Sequence, residues 1–507
     1  MLPRPPSDIE RDLYFGPQHR WVPVLSFVSM LAVLASIWLF IDQRTWALFL
    51  AVPVAINAIG GVISVITSSR RRRHSYAEHR ARVESWTPDV IPSVDVLLPS
   101  AGEELAVLDN TYRSVAALQW PAAIRVTVLD DSARDEVRDL ARSYGFHYLV
   151  RPNRGHLKKA GNLLYGFEHT SNDLILVLDA DFVPRRDALY ELAPYMDDSR
   201  NGIVQSPQFF DFDRRMNWVQ HGAGATQVLF YRWVQPSRDK SDAAICVGTS
   251  ALYRRAALSR VGGFAQIGHS EDVHTGVKLM SVGYRVRYVP TIVTKGLCPD
   301  TFDQFVTQQY RWCTGSMSLL FSKAFHRHSL TPMQRLCYWS GFLYFIGTGV
   351  NIFAAALPPV LMGIFAPAAV NPTNYALLAV AFALRALIVP VITLGRSNFL
   401  SLARIQMTYS VSHGLALYDQ VRRTSDSWVA TGAARGRSRT AVRVGRVAVI
   451  WFTVVQLLLW SIVVFRGAQY GLNYLPLAVL TLMNLWLVFP IIRHACGRTA
   501  PGAVVSS

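Results

Sequence analysis

The chain has 507 residues, 51% of them hydrophobic and only 17% charged, where soluble domains carry about a quarter. That balance excludes a simple water-soluble globule and points to membrane-spanning segments beside a folded domain. The formal charge of +17, from 51 Lys and Arg against 34 Asp and Glu, clusters beside apolar runs, which fits lipid surfaces and not nucleic acid.

The first segment, 1–91, carries two apolar stretches, Val22–Ile41 and Trp46–Ile66. Each has the roughly 20 residues needed to cross a hydrocarbon core. The first has no clear small-residue cleavage site and is followed at once by the second, so it reads as an anchor and not a cleavable signal. Arg70, Arg71, Arg72 and Arg73 follow the second stretch, which places that end in the cytoplasm.

Residues 92–330 form a polar stretch long enough to bury its own core. Short apolar runs at Val94–Leu98, Arg125–Leu129, His147–Val150, Leu174–Leu178 and Gly202–Gln205 read as strands. Helical patterns cover Leu157–His169 and Asp187–Met196. Continuous apolar strands alternating with helices predict a largely parallel sheet covered on both faces. Ligands of such sheets bind beyond the carboxyl ends of the strands.

Carboxylates stand at those ends. Asp130 and Asp131 close the second strand, and Asp179 and Asp181 follow a later one. A pair one residue apart at a strand end converges on a hard cation that bridges phosphate oxygens, although DxD alone is also a common solvated turn. Ser270-Glu271-Asp272 opens a helix, where acidic residues also serve as caps. In Gln308-Gln309-Tyr310-Arg311-Trp312, residues Gln308, Arg311 and Trp312 share a helix face at i, i+3 and i+4.

The region 331–498 holds four further apolar stretches, Ser340–Ala366, Tyr375–Leu394, Val447–Phe465 and Tyr474–Ile492. Arg435, Arg437, Arg439, Arg443 and Arg446 precede the third of these, again a cytoplasmic signal. Ser401–Arg423 is too polar to span and reads as an amphipathic helix lying on the membrane. Arg385 sits mid-span, where a charge either pairs inside the bundle or lines a conduit. Residues 499–507 read as a tail. Cys246, Cys298, Cys313, Cys337 and Cys496 form no CxxC pair, so neither a zinc site nor a disulfide framework is expected.

The order DD, DxD, SED and QxxRW, ahead of a block of apolar spans, resembles the processive family-2 glycosyltransferases, among them the cellulose, hyaluronan and chitin synthases. Glu103, Lys159-Ala160-Gly161-Asn162, Gln205-Ser206-Pro207-Gln208 and Cys246-Val247-Gly248-Thr249 add to the resemblance. The layout is nearest to the bacterial cellulose synthases, with two leading spans where those have four. It implies an α/β GT-A (Rossmann-like) domain set within a multi-span membrane protein of the bacterial plasma membrane, its catalytic part cytoplasmic. The implied reaction extends a β-glycan, UDP-glucose being the first candidate donor, with Mg2+ or Mn2+ as cofactor. Partners would be the nucleotide-sugar, the growing polysaccharide, the bilayer and an accessory export or regulatory subunit.

Carried over residue by residue, the resemblance assigns Glu103, Asp130, Asp131, Lys159, Asp179, Gln308, Arg311 and Thr431 to the donor. Asp179 and Asp181 would hold the metal, and Asp272 would be the general base. Trp312, Glu271 and Cys246 would face the acceptor, Cys246 in a structural role. A gating loop is implied over about 424–440, where Trp428 and Thr431 match and the usual lysine is absent. Ala101 and Gly102 stand where an aromatic residue and an asparagine are common, which removes a surface for base stacking. Two other readings remain: a non-processive enzyme loading a sugar onto a polyprenyl phosphate, and a transporter with a degenerate domain.

Overall fold

The computed structural model describes residues 2–19, 21–42, 44–210, 216–395, 399–424 and 438–497. Trp428, Thr431 and nearly all of the expected gating loop lie outside the described residues, as does the tail 499–507.

Two apolar helices, α1 (Trp21–Ile41) and α2 (Ala51–Ser68), lead the chain. The segment before α1 docks on the α/β domain. Ser7 caps the turn Asp8–Arg11, Lys295 Nζ donates to Glu10 Oε1 at 2.6 Å, and buried Tyr14 meets Phe209 edge-on.

The α/β domain is built on ten strands: β1 (Val94–Ser100), β2 (Ile124–Asp130), β3 (His147–Leu149), β4 (Leu174–Val177), β5 (Phe182–Pro184), β6 (Asn201–Gln205), β7 (Phe209–Phe210), β8 (Ala251–Arg254), β9 (Arg285–Tyr288) and β10 (Thr294–Gly296). Seven form one sheet in the order β3-β2-β1-β4-β8-β6-β9, and β5, β10 and β7 form a small second sheet. β1 to β4 run parallel, and β1 is buried along its whole length, as a strand covered on both faces must be. The sheet is largely parallel, as expected: β6 and β9 run the same way as β1 to β4, and among the described strands of this sheet β8 alone is reversed, antiparallel to both β4 and β6. That reversal positions the site: Ala251 pairs with Val177, which carries Gly248 and Thr249 to the end of β4. Ser100 pairs with Asp130, and Leu97 with Val177, so the loops after β1, β2 and β4 leave from one edge.

The helices of the domain include α3 (Lys158–Glu168), α4 (Trp218–Leu229), α5 (Gln235–Lys240), α6 (Glu271–Ser281) and α7 (Phe302–Leu320). The helix expected over Asp187–Met196 is one short α turn, Ala188–Leu192, and then a 3-10 turn. Pro194 has no amide to continue the ladder.

The longer helices that follow are α8 (Pro332–Ala354), α9 (Ala376–Ile392), α10 (Phe399–Arg422), α11 (Arg439–Tyr470) and α12 (Leu475–Ala495). By length and composition, five candidate membrane spans occur among the described residues: Trp21–Ile41, Thr45–Ser68, Pro332–Phe365, Pro372–Ile392 and Arg439–Ala495. The last contains both α11 and α12, joined by the 3-10 turn Gly471–Tyr474, and so takes in two of the expected spans.

Helix α10 covers the stretch read as an amphipathic helix. It is wedged between α4 and α7 on the domain side and α8, α11 and α12 on the other. Its polar residues find protein partners. Arg404 stacks over Trp486 at 4.7 Å and donates to the Leu487 carbonyl; Asp419 accepts from Tyr310 Oη at 2.6 Å and Arg443 Nη2 at 2.7 Å. Amphipathic periodicity reports two unlike faces, and protein can cover both. One continuous apolar core runs through α6, α7, α8, α10, α11 and α12, so the domain and the apolar helices share an interior.

Candidate active site

Four chain segments meet beyond β4. Asp179 is fixed by its backbone N–H, which donates to Thr249 Oγ1 at 2.8 Å. Lys159, from the first turn of α3, puts Nζ on Asp179 Oδ1 and donates to the Gly248 carbonyl at 2.8 Å. Glu271 Oε1 lies 3.9 Å from the same ammonium. Helix α6 begins at Glu271 after Ser270, which adopts a left-handed φ of 54°.

Two glycines allow the approach. Gly248 has φ of 75°, and a Cβ there would stand 2.9 Å from Asp272 Oδ2. Only glycine tolerates both the conformation and the contact. On α7, a Cβ at Gly315 would fall 1.8 Å from Ser270 Oγ. The missing side chain lets α7 press directly on the start of α6. One turn earlier, Arg311 has Asp179, Glu271, Asp272 and Asp181 as its electrostatic neighbours.

The charges are unevenly matched. Five carboxylates, Glu103, Asp179, Asp181, Glu271 and Asp272, face two cations, Lys159 and Arg311. Burial pushes Asp181 up to about 7, with Asp179 and then Glu103 adding to the shift. Burial also pushes Asp272 up to about 7, with Glu271 adding and Lys159 opposing. Glu103 is raised by burial, with Asp179 contributing. For Lys159, burial favours the neutral amine, but Asp179, Glu271 and Asp272 more than reverse it, so the ammonium is strongly held.

Among the described residues no group of three or more His, Cys, Asp or Glu side chains is arranged to hold a metal alone. Asp179 and Asp181 do fit a hard cation bound together with a phosphate ligand. Such ions take one or two carboxylates and complete their shell with phosphate oxygens and water. The crowded negative charge here is of the kind a cation relieves.

Other expected residues fall differently. Asp130 is fully enclosed. Its Oδ1 accepts from Ser132 N at 2.8 Å, Ser132 Oγ at 2.5 Å and Ser100 Oγ at 3.5 Å, and its Oδ2 from Tyr148 Oη at 2.9 Å and Arg134 N at 3.1 Å. Asp131 forms a two-bond ion pair with buried Arg151, at 2.5 and 2.6 Å. Both carboxylates therefore hold the loop after β2 in place. Cys246 is 1% exposed and bonds Tyr253 Oη at 3.1 Å, and burial pushes its thiol up to about 12. It packs beneath Asp272 and offers an acceptor no surface. Gln308 is nearly buried on α7 and Trp312 half-buried four residues on.

Three residues near the site carried no sequence signal. Arg151 anchors Asp131 from twenty residues away. Lys158 and His269 share the flank of Arg311, where burial and then Lys158 and Arg311 drive His269 down to about 4. Basic residues in a loop and a first helical turn look like ordinary surface until the fold assembles them.

The profile described as "Glycosyl transferase family group 2" matches residues 174–392, from β4 through α9. Two curated relatives are cellulose synthase catalytic subunits (UDP-forming). That of Xanthomonas axonopodis pv. citri is 33% identical over 262 residues, 50% of this chain and 36% of the relative. That of Pseudomonas fluorescens is 33% identical over 266 residues, 51% of this chain and 36% of the relative. The match thus spans little more than a third of those proteins. Among solved structures, the mannosyltransferase PcManGT of Pyrobaculum calidifontis, in complex with GDP-Man and Mn2+, superposes with a TM-score of 0.53. It is 18% identical and the match covers 73% of this chain and 99% of that one, which speaks for the fold alone. Residues 174–392 of the chain are thus similar to family-2 glycosyltransferases, and about half of the chain is similar to part of the cellulose synthase catalytic subunits.

Proposed function

We propose that the protein is a processive inverting glycosyltransferase that draws a sugar from a nucleotide-sugar, UDP-glucose first among the donors, and adds it to a growing β-glycan. Catalysis takes place on the cytoplasmic side of the bacterial plasma membrane, and the apolar helices conduct the product outward. The observation that carries this reading is the convergence of Asp272, Asp179, Asp181, Lys159 and Arg311 beyond β4.

Asp272 takes the proton from the acceptor hydroxyl as that oxygen attacks the anomeric carbon. Its pKa near 7 suits a base working at neutral pH. A single displacement turns an α-linked donor into a β-glycoside. Lys159 and Arg311 meet the diphosphate, the arginine with a planar fork matched to phosphate oxygens. Asp179 and Asp181 would hold a divalent cation, Mg2+ or Mn2+, which when bound neutralises charge on the departing diphosphate. Trp312 presents a flat apolar face on which the terminal acceptor sugar stacks.

The test is donor turnover by the full chain in lipid bilayers, with labelled UDP-glucose, UDP-N-acetylglucosamine or GDP-mannose and Mg2+ or Mn2+. Label should enter high-mass product that a linkage-specific glycanase degrades. Label entering only a lipid extract would replace this reading with sugar transfer to a polyprenyl phosphate.

A further inference from the structure

Where the α/β domain meets α2 and α8, a buried guanidinium lacks a counter-charge. Arg238 of α5 is 3% exposed, and its Nε and Nη1 have no hydrogen-bond partner among the described residues. Its Nη2 donates to Ser340 Oγ of α8 at 3.0 Å. The electrostatic neighbours of Arg238 are Cys337 and Tyr338, and no carboxylate is among them. The next residue, Asp239, is committed elsewhere: Oδ1 accepts from Arg287 Nη1 and from the Tyr288 amide, both at 2.9 Å, and Oδ2 lies 3.4 Å from Arg73 Nε. The nearby arginines Arg287 and Arg73 are therefore paired, while Arg238 is not.

A second cation borders the same seam. Arg70, just past α2, donates from its backbone N–H to Ser237 Oγ and from Nη1 to Ser241 Oγ, both at 3.0 Å. Arg70 and Arg238 both act on Cys337 of α8. Gly341 lets α8 approach the guanidinium closely, since a Cβ there would come within 3.3 Å of Arg238 Nη2. Trp339, on the same helix turn, is 40% exposed, as tryptophans at the headgroup level of a membrane are.

A charge removed from water needs an opposite charge and not merely a water molecule, because water leaves it uncompensated. Two unpaired guanidinium nitrogens, a serine hydroxyl and a second arginine suit tetrahedral oxygens carrying negative charge. We propose that Arg238, Arg70 and Ser340 form a phosphate-binding site, filled by the headgroup of an anionic phospholipid or by soluble phosphate. A phosphate there ties α5 of the α/β domain to α2 and α8 at once, so it fastens the domain to the apolar helices. The site lies outside the carboxylate cluster and does not depend on the reaction proposed there.

The test uses the full chain in a non-ionic detergent, its thermal unfolding midpoint read against short-chain phosphatidylglycerol, short-chain phosphatidylcholine or inorganic phosphate. The midpoint should rise with phosphatidylglycerol and much less with phosphatidylcholine; a rise with inorganic phosphate alone assigns the soluble source. R238M should raise the half-saturating concentration at least about tenfold, the loss of one charge-assisted contact. No anion-dependent rise, an equal rise with phosphatidylcholine, or an unchanged response in R238M overturns the proposal. Should R238M not fold, R70Q and S340A serve instead: weaker saturation in either supports the site, and unchanged saturation in both overturns it.

Discussion

Two acidic motifs leave the same edge of the sheet, and the structure treats them in opposite ways. Asp130 and Asp131, after β2, have oxygens taken up by protein donors: Ser132, Arg134 and Tyr148 for the first, Arg151 for the second. Asp179, Asp181, Glu271 and Asp272, around β4 and α6, crowd one another, and two of them are driven up to about 7. The first pair is at rest in the unliganded protein and the second is not. Carboxylates with their donors in place build a site, whereas carboxylates short of positive charge await a ligand or a proton.

That contrast is broken most directly at Asp272. Asp272→Asn should lower turnover by about 10^2–10^4, the usual worth of a general base, while donor binding persists. Turnover at the wild-type level would show that the crowded cluster is not catalytic. The same substitution removes a buried negative charge. Because the folded-state pKa of Asp272 is raised from 3.8 to about 7, its favourable protonated form is fully present below 3.8 and is lost as pH rises through about 7. Asp272→Asn should therefore unfold at higher temperature than wild type at pH 8, with the gap closing toward pH 4.

The resting pair should give the reverse pattern. Arg151→Met leaves Asp131 buried and unpaired, at a cost of about 3–5 kcal/mol of stability by denaturant titration. Turnover per folded molecule should change far less than in Asp272→Asn. A destabilised cluster variant beside a stable Arg151→Met would invert the comparison.

How much of this was legible beforehand depends on distance along the chain. The parallel strands β1, β2 and β4 announce themselves as apolar runs, and the acidic residues at their ends need no fold to be noticed. The division of labour between the acidic pairs was not legible, because the Asp131 partner lies twenty residues away and that of Asp130 includes Tyr148. β8 is only four residues long, and strand direction is set by the connections of the fold and not by a strand's own residues. The contact of Gly315 with Ser270 is tertiary and invisible in either segment alone. The partners of Asp419 on α10, Tyr310 and Arg443, were not legible either, since each lies on a different helix.

Smaller effects sharpen the picture. Gly315→Ala forces a Cβ toward Ser270, so it should cost about 1–3 kcal/mol, as overpacking does, and reduce kcat more than it raises KM. The pH profile of kcat/KM should lose activity as pH falls through about 7, where Asp272 takes up its proton. The acid limb should vanish from the residual activity of Asp272→Asn. Cys246→Ala should cost about 1 kcal/mol of stability and leave turnover nearly unchanged, since the thiol is buried and bonded to Tyr253.

The most direct test of the central claim measures donor binding and sugar transfer in wild type and Asp272→Asn, both in bilayers with UDP-glucose and Mg2+ or Mn2+. The account predicts that both proteins bind UDP and that only wild type makes high-mass product. Product of equal yield from both would contradict it.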